Sequence, residues 1–186
     1  AIQREVGVGS GEFEVWSYDA NTIGEIKLTG GSTQTSSVTI NSDLAATLKY
    51  DGLGGGNFAG ITFEYPSSDF PNGMDYTSFG SLRFSLSGTA ANVKIEIQDV
   101  NNNMYQVTYA AGPDHQVSFS DPLVLGQIDI TKVRRINFVV DQTTAGNTTG
   151  TLQVRIQDLR SSPSYRGSEG ALDSHVIQET LTAADL

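Results

Sequence analysis

Two runs in this chain alternate so regularly that they allow one local structure. Val93-Lys-Ile-Glu-Ile-Gln98 and Leu152-Gln-Val-Arg-Ile-Gln-Asp-Leu159 place apolar side chains at every second position over most of their length. A period of two belongs to a strand with one buried and one wet face, whereas a helix needs a period near 3.6. Further short runs rich in β-branched and aromatic residues lie at 13–18, 25–29, 37–40, 45–50, 58–65, 81–87, 105–109, 116–120 and 133–140. Gly, Asn, Asp and Pro separate them, and no convincing helical period intervenes. Many short strands at even spacing predict an all-β chain folded as a two-sheet antiparallel β-sandwich. The apolar faces then meet, and Lys94, Glu96 and Gln98 point outward. A curved sheet turns one such outward face concave.

Composition narrows the partners. The chain has 186 residues, enough for one domain and a tail, with 20 Gly and a hydrophobic share of only 38%. Its net charge of −10 repels phosphate backbones and anionic membranes, and suits neutral ligands or divalent cations. Cysteine is absent, so no disulfide holds the fold. No apolar run reaches the length of a membrane helix. Residues 12–160 are read as the sandwich and 1–11 as a lead-in. Residues 161–186 are a polar linker or tail. Within the tail, Thr182-Ala-Ala-Asp185 resembles a helix N-terminus, as though a further domain began there.

Catalytic chemistry finds little support. The two histidines are His115 and His175, and no Gly-x-Ser-x-Gly elbow is present. His115 follows Gly112-Pro-Asp114 and reads as a solvated loop residue. The many carboxylates sit mostly at strand ends and turns, where solvation and Asx-turns account for them. Gly52-Leu-Gly-Gly-Gly56 lacks the Lys-Ser/Thr ending of a phosphate loop and is a turn. The expectation is therefore a protein without enzymatic activity.

Binding chemistry finds more. Calcium takes six to eight oxygens, often carboxylates at loop junctions. Glu14 and Asp158 belong to the first and last strand runs, which lie together in such sandwiches, and Asp43 opens the run ending at Tyr50. The three are a candidate calcium site, with ordinary surface acids as the competing reading. Sugars stack on aromatic rings while amides and carboxylates bond their hydroxyls. Tyr105 and Tyr109 share one face of a strand beside Gln98 and Asp99 on its hairpin partner. With Tyr50, Asn57, Asp141 and Gln142 they make a candidate ligand cleft. The competing reading places half or more of the tyrosines in the core. Trp16 is read as core.

These runs also occur in a familiar order. Phe13-Glu14, Trp16, Leu44-Ala-Ala-Thr-Leu-Lys-Tyr-Asp51, Asn57-Phe-Ala-Gly-Ile-Thr-Phe63 and Tyr76-Thr-Ser-Phe-Gly-Ser-Leu-Arg-Phe84 come first. Val93–Asp99, Ile128-Asp-Ile-Thr-Lys-Val-Arg-Arg-Ile-Asn-Phe138 and Ile156-Gln-Asp-Leu159 follow. The order resembles the jelly-roll, galactose-binding-like carbohydrate-binding modules of bacterial endoglucanases, the family-eleven type, and a related intracellular-chaperone domain. The resemblance spans about residues 12–160. It implies a secreted or cell-surface, non-catalytic module that binds β-glucan-like polysaccharide in a concave tyrosine-lined cleft, with structural calcium. Carried over, Glu14 and Asp158 match the calcium acids, Tyr50 a cleft tyrosine, and Asp99 and Asp141 polar cleft positions. Where the family often has an aromatic before the last strand, this chain reads Val139-Val140-Asp141-Gln142. A structural or adhesive module of a surface assembly is the alternative.

Overall fold

The computed structural model describes residues 25–30, 36–42, 45–77 and 79–161. Ten strands occur among them: β1 (Glu25–Gly30), β2 (Ser37–Ser42), β3 (Ala45–Tyr50), β4 (Phe58–Glu64), β5 (Phe79–Gly88), β6 (Asn92–Asp99), β7 (Met104–Ala110), β8 (Gly112–Ser118), β9 (Val133–Asp141) and β10 (Gly150–Ser161). They form two five-stranded sheets, β1-β4-β9-β6-β7 and β2-β3-β10-β5-β8, in which every pairing is antiparallel. Two one-turn helices, α1 (Pro122–Leu125) and α2 (Gln142–Ala145), fill connections. The architecture is the two-sheet antiparallel β-sandwich that the alternation predicts.

Parity builds the core. On the first sheet Ala59, Ile61, Phe63, Val93, Ile95, Ile97, Ile136, Phe138 and Val140 turn inward. On the second, Ala46, Leu48, Tyr50, Leu82, Phe84, Leu86, Leu152, Val154 and Ile156 meet them. Phe138 bridges the layers, edge-on to Phe63 at 5.7 Å within its own sheet and to Phe84 of the opposite sheet at 5.4 Å. Edge-to-face rings add about 1 kcal/mol each beyond their buried area. β6 shows the predicted alternation, with Val93, Ile95 and Ile97 closed to solvent and Lys94, Glu96 and Gln98 partly open.

One expectation is overturned. His115 lies not in a solvated turn but on β8, opposite Phe84 of β5. β5 needs an edge partner, and that pairing extends the strand back through Gly112-Pro-Asp114 against its local turn preference. Parity then aims the imidazole inward, 5.5 Å from the Phe84 ring and 5.0 Å from Tyr109, with Nε2 buried and without a hydrogen-bond partner.

Arg134 closes one end of the sandwich. It has the inward parity of β9 and is only 9% exposed. Its guanidinium donates to the carbonyl oxygens of Tyr65 (2.7 Å), Phe70 (2.9 Å) and Pro71 (3.0 Å). A planar fork of donors suits three converging carbonyls, and it adds a charged donor to the Phe70 oxygen, which also accepts from the Gly73 N–H (3.0 Å). The same loop is held by the Tyr65–Tyr76 hydroxyl pair (2.9 Å). Arg134→Met is expected to lower the unfolding free energy by about 3 kcal/mol, because it removes three charge-assisted hydrogen bonds at once. Urea denaturation measures this, and a loss below about 1 kcal/mol would show that the fork carries little of the loop's stability.

Candidate functional site

The outward face of the β1-β4-β9-β6-β7 sheet carries the densest polar chemistry among the described residues. Its rows follow from register. Thr62, Asn137, Glu96 and Gln106 stand side by side across β4, β9, β6 and β7. Gly60, Val139, Lys94 and Thr108 form the next row, and Glu64, Arg135, Gln98 and Met104 the one beyond. In the first row Thr62 Oγ1 donates to Asn137 Oδ1 (2.9 Å), and Asn137 Nδ2 donates to Glu96 Oε2 (3.2 Å). The chain of bonds aims each group and leaves it little rotational freedom.

Ion pairs flank that row. Lys94 Nζ lies 2.5 Å from Asp141 Oδ2, and Arg135 lies 3.6 Å from Glu64. Arg135 Nε is buried and has no hydrogen-bond partner. The centre of the face is closed, with Thr62 at 2% and Asn137 at 7% exposure, while Phe58 and Met104 at its margins each reach 40%. Gly60 sits where a β-carbon would come within 2.5 Å of the Phe138 carbonyl oxygen, so the backbone there has no room for a side chain. The arrangement offers carboxylate acceptors beside amide, ammonium and guanidinium donors, with an apolar ring at one margin.

The residues expected to form the cleft divide. Gln98 and Asp141 lie on this face, and Gln142 is exposed beside them as the first residue of α2. Asp141 is also engaged locally: its carboxylate accepts from the Thr144 N–H (2.8 Å), and its own N–H donates to Thr144 Oγ1 (2.9 Å), a capping box. Asn57 is occupied in a turn, donating from Nδ2 to the Gly52 carbonyl oxygen (3.2 Å).

The tyrosine expectation needs correction. Tyr50 is fully buried, its hydroxyl donating to Asn147 Oδ1 at 2.6 Å. Tyr105 faces inward and is 9% exposed. Tyr109 also faces inward, packs on Phe84 and donates to the Gln116 carbonyl oxygen (2.8 Å). Tyr50 and Tyr105 present no open ring for a sugar to stack on.

Asp99 is likewise withdrawn. It is fully buried and accepts from the N–H groups of Asp129 (3.0 Å), Asn101 (2.8 Å) and Asn103 (3.0 Å) and from Asn103 Nδ2 (2.9 Å). Its role is to close the β6–β7 turn, where Asn102 adopts a left-handed φ of 66°, and to tie it to the Asp129 segment. A search for tyrosines passes over Thr62, Asn137 and Arg135. Their signal in the sequence is that of polar residues interrupting apolar strands at outward parity.

The metal expectation rests on Glu14, Asp43 and the Asp158 side chain, which lie outside the described residues. The Asp158 backbone is on β10, opposite Arg83. Among the described residues no three His, Asp or Glu side chains group as a metal site requires.

No protein-family model and no curated protein matches the sequence. Solved structures do resemble the fold. One is the family 11 carbohydrate-binding module of the cellulosomal cellulase Lic26A-Cel5E of Clostridium thermocellum. It is 15% identical, with 73% of this chain and 85% of that chain covered, at a TM-score of 0.48. PfGH50B is 13% identical at a TM-score of 0.50, over 77% of this chain but only 23% of its own length. A point mutant of a family 29 carbohydrate-binding module is 14% identical, with 74% of this chain and 81% of that chain covered, at a TM-score of 0.45. These likenesses concern fold.

Two hydrogen-bonded acids, Asp99 and the half-buried Asp141, also set the response to pH. Burial alone would raise the pKa of Asp99, but its four N–H donors outweigh that and hold it below the ordinary carboxylate value. Asp141 is lowered in the same way, burial opposing and the Lys94 and Thr144 bonds prevailing. A carboxyl depressed in the folded state stabilises above its unfolded pKa of about 3.9, and that stability is lost as pH falls through the folded value. The melting temperature is therefore expected to fall as pH drops below about 4. Asp99→Asn should start lower at neutral pH and show a shallower acid limb in thermal melts. Parallel wild-type and variant curves would remove Asp99 from that role.

Proposed function

We propose that this domain is a non-catalytic module that binds polysaccharide along the outward face of the β1-β4-β9-β6-β7 sheet, as part of a secreted or cell-surface protein. The observation that carries the reading is the bonded row Thr62–Asn137–Glu96 at the middle of that face. A sugar hydroxyl both donates and accepts, and so needs acceptors and donors held at close spacing. Glu96 supplies the acceptor, while Lys94 and Arg135 supply donors on either side. Strands lie about 4.8 Å apart, so an extended chain lying over β9, β6 and β7 meets Arg135, Lys94, Glu96 and Gln106, with Glu96 aimed from beneath by the closed Thr62–Asn137 pair. Phe58 adds an apolar ring at the margin, against which a C–H face can rest. Many weak contacts of this kind sum over several sugar units, and the net charge of −10 turns the preference toward neutral chains. The ligand surface is thus polar and sheet-borne rather than the tyrosine cleft implied by the resemblance.

A glycan array in calcium-containing buffer followed by calorimetry tests the reading. A coherent class of neutral polysaccharide is expected to bind. Glu96→Gln and Asn137→Ala should each weaken binding about tenfold, or about 1.4 kcal/mol, while Lys49→Ala on the opposite sheet should not. A blank array would sink the reading in favour of a structural or adhesive role. Equal binding by all variants would move the site off this face.

The same reading includes a structural calcium at Glu14, Asp43 and Asp158, acids that would supply hard oxygen ligands. A bound ion that prefers the folded chain raises its stability, so chelation is expected to lower the melting temperature by several degrees. A chelator-insensitive melt would remove the ion.

A further inference from the structure

The outward face of the other sheet holds a depression of about 360 Å³ lined by Asn41, Ala45, Ser85, Ser87, Gln153 and Arg155. Register explains its shape. Arg155 on β10 stands between Ala45 of β3 and Ser85 of β5, and the neighbouring Gln153 stands between Thr47 and Ser87. Long side chains on the central strand thus rise between short ones on both flanks, which leaves hollows beside them.

Hydrogen-bond accounting shows what the hollow would accept. Ser87 Oγ donates to Gln153 Oε1 (3.2 Å), and Thr47 Oγ1 donates to Asn41 Oδ1 (2.7 Å). Each amide oxygen thus accepts one bond from a neighbouring hydroxyl, which leaves the NH₂ of each residue without a partner among the described residues. Arg155 is exposed and makes no hydrogen bond or ion pair with the described residues. By contrast, the nearby Arg83 is paired with Asp114 at 2.8 Å. The hollow therefore offers the guanidinium N–H groups and the two amide NH₂ groups as donors, beside the hydroxyl oxygens of Ser85 and Ser87. A chain of net charge −10 carries here a cation that has no ion-pair partner among the described residues.

We propose that this depression is a second binding site, distinct from the neutral-chain face, and that it takes the carboxylate of an acidic sugar unit, a hexuronate. The guanidinium is matched to a carboxylate by its two parallel N–H groups. Gln153 and Asn41 amides are placed for the ring hydroxyls, and Ser85 and Ala45 leave room for the ring itself. The volume lies at the lower end of small-molecule sites and accommodates one or two sugar units. Two sites of different charge character on opposite faces would let one domain bridge a neutral and an acidic polysaccharide.

The test is titration of the full chain with trigalacturonate, followed by NMR shift mapping and calorimetry at low salt, with cellotriose, acetate and sulfate as comparison probes. Saturable trigalacturonate binding is expected, with shifts centred on β3, β5 and β10. Arg155→Gln should weaken it about tenfold or more. Ser85→Leu, which fills the hollow from its rim, should do the same while leaving the thermal melt close to wild type. Glu96→Gln should leave it unchanged, which separates this site from the neutral-chain face. Raising salt to about 0.5 M should weaken it, as for an exposed ion pair. Absence of saturable binding, or binding indifferent to both Arg155→Gln and Ser85→Leu, would overturn the proposal. Equal affinity for sulfate or acetate would overturn its sugar part and leave a simple anion site.

Discussion

Two adjacent residues on β9 link the core to the surface. Phe138 points inward and joins the sheets through its edge contacts with Phe63 and Phe84. Asn137, one position earlier, points outward and bonds Thr62 on one neighbour and Glu96 on the other. A strand has a period of two, so a slip of one residue would send the ring to solvent and the amide into the core. Both errors cost free energy in the same direction. The register that buries Phe138 is therefore the register that assembles the polar row, and the site cannot form on a wrongly paired sheet.

The same parity places a full charge inside. Arg134 has the inward parity of Phe138, and its position at the strand start puts it at the end of the sandwich rather than its middle. There it meets three loop carbonyls in place of a carboxylate. Partial charges aimed by the loop backbone replace a counterion, and the loop in turn is shaped by the charge it surrounds. Arg135, one residue on, points outward beside Glu64. Two consecutive arginines thus do opposite work, one fastening the core's end and the other furnishing the face.

The fold is largely legible in the sequence because alternation is a geometric statement. Val93–Gln98 and Leu152–Leu159 specify strand and facing at once, and neighbouring runs of similar length have few ways to bury their apolar sides. The start of β8 escapes a local reading because Gly112-Pro-Asp114 carries turn chemistry, and the need of β5 for an edge partner is not local. The site is legible only where parity applies. Gln98 follows from the alternation of β6. Ring type alone sends Tyr105 and Tyr109 to a cleft, yet their odd positions on β7 align with Val107 and face the core. Asp99 has the chemistry of a cleft acid, but its neighbours Asn101 and Asn103 make it the acceptor of a turn.

Parity also explains why the two outward faces differ chemically. On the first sheet the charged side chains find partners across strands: Lys94 with Asp141, Glu64 with Arg135, and Glu96 with the Asn137 amide. Such a surface is electrically balanced and suits a ligand that both donates and accepts. On the second sheet, β5 contributes serines and β3 an alanine around Arg155, and each amide oxygen accepts from a neighbouring hydroxyl. Among the described residues no carboxylate lines that hollow, so its field is set by one guanidinium. A guanidinium loses little by staying hydrated, and gains most from a partner with two oxygens at matching spacing. Nothing in the core requires this asymmetry, because the inward residues of both sheets would pack equally well beneath either surface. The difference between the faces is therefore free to reflect what each one meets.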